Sequence, residues 1–308
     1  MEITNTQKAI LEIEDIRQSN EWFEFLKLYG WQKVTPAQGV NAALLSTPLG
    51  RFAKIQRTKN IFKPDLLEIN SMLQKEKALF VKIEPSLTQN LEVLDLSGFR
   101  KSRGFMAPPA TLFIELKQKE NDLWNSFSHS AKYSIRRAVR EKARVEKIIY
   151  PTEQQLKDFY KLITQTTKHK RFSTISLTNL IATTKIFQDK SILFLVYNDQ
   201  NKLQGGKYFL GHKSCVWYMY GGTSDEGRKT KSGYNLVWES FLGLKRLGFD
   251  WLDFEGVDDP RYAHTRQWGG FAHFKEKFGG ISIQFPYPRI YYYSKLFKLA
   301  TQVTHLDI

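Results

Sequence analysis

Apolar residues along the chain switch between helical spacing and short continuous runs, and the switch repeats almost from end to end. Asn20 stands where a cap belongs, ahead of a helical stripe of Trp22, Phe23, Leu26 and Tyr29, with Gly30 as the stop. Short strands are predicted over 43–45 and 52–56. Pro64 opens a helix bearing Leu66, Leu67, Ile69, Leu73 and Ala78, and 78–83 reads as a buried strand ending at Glu84-Pro85. The stretch 96–109, rich in Gly, Ser, Pro and basic residues, reads as the loop between two halves.

The second half predicts a strand over 111–116, a helix around 121–127 and a basic helix over 130–142. A strand over 145–150 leads to helices over 152–167 and 177–188. Three strands follow closely, at 192–197, 204–210 and 214–220. A long helix over 232–247 carries Tyr234, Val237, Trp238, Phe241 and Leu244 at helical spacing, with Gly248 past its end. Strands at 251–255 and 281–285 and a terminal helix over 291–299 complete the set. Two helices, three antiparallel strands, a helix, a strand and a last strand is the order of a GNAT-like N-acyltransferase domain. The first half reads as a shorter copy of it. The predicted class is α/β, with two GNAT-like domains whose mixed, mostly antiparallel sheets are flanked by helices. One domain spans 1–110 and is completed by 287–308; the other spans 111–286.

Composition narrows the partners. The 308 residues are 42% hydrophobic and 25% charged, which excludes wholesale disorder. A net charge of +15, from 46 Lys and Arg against 31 Asp and Glu, favours polyanions such as nucleic acid, anionic lipid or phosphorylated substrates. Solubilising charge would give the same number. Cys215 is the one cysteine, so no disulfide framework exists, and no Cys/His cluster has metal-ligand spacing; no metal and no cofactor are expected. The first 16 residues do not read as a signal peptide and no segment reaches the roughly 20 apolar residues of a membrane span, so a cytoplasmic protein is expected.

Three stretches could carry chemistry. In 130–142, Lys132, Arg136 and Arg140 share one helical face, either for a phosphate backbone or as a solvated face with Ile135, Ala138 and Val139 turned inward. The loop Gly221–Gly233 lies where acyl-CoA enzymes of this fold bind pyrophosphate, but from Arg228 the positions that want glycines hold Lys231 and Gly233. The fold can thus be present without that cofactor. In Phe271–Gly280, rings alternate with basic residues; rings stack on bases and a lysine in a dry cleft stabilises an oxyanion, though a half-buried segment with solvated lysines has the same pattern.

Taken together, six segments in order resemble the Fem family (FemX, FemA, FemB), the non-ribosomal peptidyl transferases of peptidoglycan cross-bridge synthesis. They are Gln18-Ser-Asn-Glu-Trp22, Val81-Lys-Ile-Glu-Pro85, Lys132-Tyr-Ser-Ile-Arg-Arg-Ala138, Trp217-Tyr-Met-Tyr-Gly-Gly-Thr-Ser224, Trp251-Leu-Asp-Phe-Glu-Gly-Val257 and Phe274-Lys-Glu-Lys-Phe-Gly-Gly280. The resemblance implies transfer of an amino acid from aminoacyl-tRNA to a stem-peptide amine. The acceptor would be UDP-MurNAc-pentapeptide or its lipid-linked form, with peripheral contact at the inner membrane face. It implies that Lys275 stabilises the transition state and contacts the tRNA end, with Phe274 on the terminal adenosine. Tyr218 falls on a precursor-binding tyrosine, Arg171 and Lys27 on diphosphate ligands, and Glu84 on an acidic residue near the acceptor amine. Lys132, Arg136, Arg140, Lys229 and Lys231 are the cations expected to face tRNA, and a monomer is expected. Two other readings stay open: a GNAT-fold acyltransferase using acyl-CoA on a polysaccharide or small amine, and a non-catalytic RNA- or envelope-binding module.

Overall fold

The computed structural model describes residues 4–170 and 174–303, with backbone alone at Asn5 and 167–170. The chain divides into two compact units. One takes in the described residues up to Ala110, Asp259–His264 and the described residues from Gln284; the other comprises the described residues of Thr111–Asp258 and Thr265–Ile283.

The first unit carries β1 (Trp31–Ala37), β2 (Val40–Thr47), β3 (Gly50–Gln56), β4 (Ala78–Glu84) and β5 (Arg100–Lys101). The second carries β6 (Ala110–Glu115), β7 (Arg144–Ile149), β8 (Ser191–Tyr197), β9 (Leu203–His212), β10 (Cys215–Thr223), β11 (Trp251–Asp253) and β12 (Ile281–Gln284); a last strand, β13 (Arg289–Tyr292), returns to the first sheet. The first sheet runs β1-β2-β3-β4-β13-β5 and the second β12-β6-β11-β10-β9-β8-β7. Each contains a parallel pair, β3 with β4 and β10 with β11, among antiparallel neighbours. Helices flank both, so the α/β class with mixed, mostly antiparallel sheets is borne out.

Local chemistry explains most boundaries. Ser19, not Asn20, caps helix Asn20–Lys27, its hydroxyl accepting from the Trp22 N–H at 3.1 Å. Pro64 sits in the first turn of helix Lys63–Lys75, where its missing N–H costs nothing. Ser128 caps the basic helix His129–Arg140. Three expectations need correction. Residues 31–37 form an unforeseen edge strand, bulged between Val34 and Ala37, because Pro36 reads as a breaker yet is tolerated at an edge. The supposed loop 96–109 contains β5, and Tyr291 and Tyr292 lie in β13 rather than in the terminal helix, which is Lys295–Val303.

Core packing follows most of the predicted apolar faces, although Tyr29 and Leu67 are exposed. In the first unit Leu66, Ile69 and Leu73 of the Pro64 helix join Val40, Leu44, Ile55, Val81 and Ile83 from the sheet. In the second, helix Ser232–Arg246 buries Leu236, Val237, Phe241 and Leu244. Phe241 meets Phe127, Phe254 and Phe278 edge-on, with centroids 5.7–6.1 Å apart. Each such buried side chain contributes about 1.5–3 kcal/mol. This ring cluster backs the segment that carries Lys275.

Candidate active site

The turn after β11 builds a receptor for an ammonium group. Asp253, fully buried, accepts hydrogen bonds from the Thr111 hydroxyl and, at 2.7 Å, from the Glu255 N–H. These contacts hold Glu255 at φ +58°, a left-handed conformation that non-glycine residues seldom adopt outside constrained sites. The Glu255 and Gly256 carbonyls then accept from Lys275 Nζ at 3.2 and 2.8 Å. Lys275 lies on helix Gly269–Glu276 and is only 6% exposed. Its Nζ stands 5.1, 5.5 and 5.8 Å from the ring centroids of Phe271, Tyr218 and Phe254. The Gly279-Gly280 stop fixes that helix. Both glycines have positive φ, and a Cβ at Gly280 would meet Ile114 at 2.6 Å.

A second buried amine faces the same tyrosine. Lys207, in the middle of β9 and 7% exposed, donates to the Tyr218 hydroxyl at 3.2 Å, and its Nζ is 4.5 Å from that ring's centroid and 5.4 Å from that of Phe274. β10 bulges between Tyr218 and Tyr220, which re-aims Tyr218 relative to β9. Its hydroxyl then lies over Gly221, where an added Cβ would be 1.9 Å from that oxygen. Gly221 pairs with Lys207 across the strands, so glycine is required for the tyrosine to reach the lysine.

Burial dominates the electrostatics. It lowers both Lys207 and Lys275 to about 7 from the ordinary 10.5; Glu255 and Asp253 oppose the shift at Lys275, and the Lys207 charge adds to it. It also raises the Tyr218 phenol well above its ordinary value, so the hydroxyl stays protonated. Among the described residues no carboxylate forms an ion pair with either lysine. Lys275 has two carbonyl acceptors, and each bond from a charged donor is worth about 1.5–3 kcal/mol. Lys207 has only a hydroxyl. The two carbonyls favour the charged form of Lys275, against the Lys207 charge that lowers it. An ammonium has three donors, so one N–H of Lys275 remains for an incoming oxygen.

Lys275, Tyr218 and Phe274 are thus brought together, with Lys207 as a member that sequence reading missed. Its signal was a lysine inside the otherwise buried run Gln204–Leu210. The expected tRNA cations lie elsewhere on the same unit. Arg136 and Arg140 are exposed, Arg136 standing 5.5 Å from the Trp124 ring, and Lys132 donates to the Asn125 carbonyl at 3.1 Å. Val139 is 56% exposed, not turned inward. Lys229 is exposed, Lys231 is half-buried with φ +62°, and Arg228 is held by Asp225 and the Thr223 carbonyl. Arg171 lies outside the described residues.

Two predicted residues belong to the first unit. Lys27 is exposed and paired with Glu24 at 2.7 Å. Glu84 is buried, and its carboxylate accepts from Gln56 Nε2 at 2.6 Å, from the Ala107 N–H at 2.8 Å and from the Met106 N–H. Three donors thus engage that carboxylate. Nearby, Lys54 is buried 4.5 Å from the Trp31 ring centroid and lowered to about 8 by burial, with Glu84 opposing and Arg17 reinforcing the shift.

The FemAB family model matches residues 94–205. The Fem resemblance holds. Among solved structures the chain is similar to FemX, at 18% identity and a TM-score of 0.79 over 99% of each chain. It is also similar to L-PGS from Bacillus licheniformis, at 13% identity and 0.61 over 96% of this chain and 99% of that one. At such identities these likenesses speak for the fold. No curated protein matches the chain in sequence. The matched segment takes in the basic helix and ends two residues before Lys207; the FemAB family is one of transferases. Among the described residues no helix is long and apolar enough to cross a membrane.

Proposed function

We propose that the protein is an aminoacyl-tRNA-dependent transferase, which moves an amino acid onto the stem-peptide amine of a peptidoglycan precursor. One observation carries the reading: the buried Lys275 ammonium, seated on the Glu255 and Gly256 carbonyls, keeps an N–H for an oxygen among Tyr218, Phe271 and Phe254. The aminoacyl ester is already activated, so the protein needs chiefly to position it and to stabilise the oxyanion formed on attack. Lys275 supplies that charge where water does not screen it. Phe274 takes the terminal adenosine and Tyr218 the precursor. Arg171 and Lys27 are diphosphate ligands, and Glu84, which holds the 106–107 backbone, belongs to the acceptor side. Lys132, Arg136, Arg140, Lys229 and Lys231 attract the tRNA backbone, consistent with a net charge of +15. The acceptor is UDP-MurNAc-pentapeptide or its lipid-linked form, reached from the cytoplasm by a monomer.

The test is to incubate the purified protein with charged tRNAs and with each acceptor, and to weigh the products. A tRNA-dependent gain of one amino-acid residue is expected, lost in Lys275→Met. Transfer from an acyl-CoA, or none from any charged tRNA, would overturn the reading in favour of an acyl-CoA enzyme or a binding module.

A further inference from the structure

Lys207 is a buried amine for which the transfer chemistry outlined above has no use. It stands in the central part of a buried strand, beside Phe194 of β8 and Gly221 of β10, neither of which bears charge. The titratable groups acting on it or its partner are Tyr218, Lys275, Glu255 and Asp253. A lysine kept at such a place for structure alone would be expected to have a carboxylate or several carbonyls around it. Lys207 has one hydroxyl and two aromatic rings.

The reaction needs a group of this kind. An acceptor amine arrives as an ammonium and cannot attack until a proton leaves. Glu84, the acidic residue on the acceptor side, has its oxygens taken by Gln56, Met106 and Ala107. Tyr218 is held protonated by burial. Lys275 is engaged by two carbonyls, which favour its charged form.

We propose that Lys207, as a neutral amine beside Tyr218 and Phe274, takes the proton from the acceptor ammonium while Lys275 stays charged to receive the oxyanion. The inference rests on the transferase reading above. The Lys207 lone pair accepts one proton from the acceptor, and the freed amine forms a C–N bond at the ester carbonyl carbon. The carbonyl electron pair moves onto the oxygen facing Lys275. On collapse the ester C–O bond breaks and its electron pair leaves with the ribose oxygen, which takes the second proton of the attacking nitrogen; Lys207 returns the first to solvent. Neither an oxidant nor a cofactor is required. Burial without a strong acceptor favours the neutral form of Lys207, while two carbonyl acceptors favour the charged form of Lys275, which divides the acid and base roles between two identical side chains.

Two measurements test this. In rate–pH profiles of tRNA-dependent transfer, the wild type should gain rate as Lys207 loses its proton and lose it again as Lys275 does, a bell centred near pH 7. Lys207→Met and Lys207→Arg should both lose about 100-fold at pH 7 in kcat, with little change in KM, and recover with rising pH as the acceptor deprotonates unaided. An active Lys207→Arg with the wild-type profile would overturn the proposal, because it would mean that charge or packing is all the position supplies. The second measurement needs no turnover. In protein labelled with 15N-lysine, a side-chain resonance absent from Lys207→Met should titrate near neutral pH, and should move to higher pH in Lys275→Met. A Lys207 resonance still that of an ammonium at pH 9 would overturn the assignment. Absence of transfer by the wild type with every charged tRNA would sink the transferase reading and this step with it, while the titration would still report the pair.

Discussion

Both units bury cations beside a parallel strand pair, but they treat them differently. In the first, Arg17 lies 3.1 Å from Asp15, Lys82 donates to the Gly104 carbonyl at 2.8 Å, and the Glu84 charge supports Lys54. Carboxylates and backbone carbonyls answer most of the buried charge, as a structural network must. In the second, among the described residues, Lys207 and Lys275 share one tyrosine with no ion pair, and the strong acceptors belong to Lys275. Uncompensated burial costs stability and is retained where a reaction uses it. The contrast separates a polar scaffold from a site, without recourse to likeness with any other protein.

The largest expected effect is on the uncompensated side. Lys275→Met should lower transfer about 10²–10³-fold with the fold intact by circular dichroism, as removal of an oxyanion-stabilising donor does. On the compensated side, Glu84→Gln should act on stability instead. The amide oxygen can keep the Met106 and Ala107 N–H groups, but the NH2 then faces the Gln56 Nε2 donor and the carboxylate charge is lost, costing about 1–3 kcal/mol in denaturant unfolding. Wild-type stability in that variant would mean that the first network is not what holds the 106–107 backbone.

Gly221→Ala sharpens the comparison further, since it must push the Tyr218 hydroxyl away from Lys207. A stability loss of about 1–3 kcal/mol is expected, together with weaker precursor binding by calorimetry. One further effect has a diagnostic sign. Because Lys207 falls from 10.5 to about 7 on folding, the unfolded chain binds more protons between those values, and burial of this amine costs least at high pH. Lys207→Met should therefore gain on the order of 4 kcal/mol over the wild type at pH 7, and lose that advantage as pH approaches 10.5 in thermal melts. An advantage independent of pH would contradict a buried, titrating amine.

Much of this was legible from the chain. Periodicity located the helices that build both cores, and the order of elements in 111–286 gave the mixed sheet. What stayed hidden depended on long-range pairing. The strand at 31–37 contains Pro36, which only an edge position tolerates, and β13 is a strand because Tyr291 and Tyr292 pair with Val81 and Phe80, far away in sequence. The site was partly visible. Lys275 and Tyr218 stood in motifs, whereas Lys207 needed the bulge at Tyr218 and the bare Cα of Gly221 to acquire a neighbour. Glu84 read as an acid, and only its three donors show how fully that carboxylate is engaged.

The most direct trial of the account asks which amines meet the end of the nucleic acid. Periodate converts the terminal ribose of tRNA to a dialdehyde, which forms imines with neutral lysines that borohydride then fixes. Mass spectrometry of the captured peptide should find the label on Lys275 or Lys207, whose amines titrate near neutral pH. Label spread over exposed lysines such as Lys229, with Lys207 and Lys275 unmodified, would contradict it.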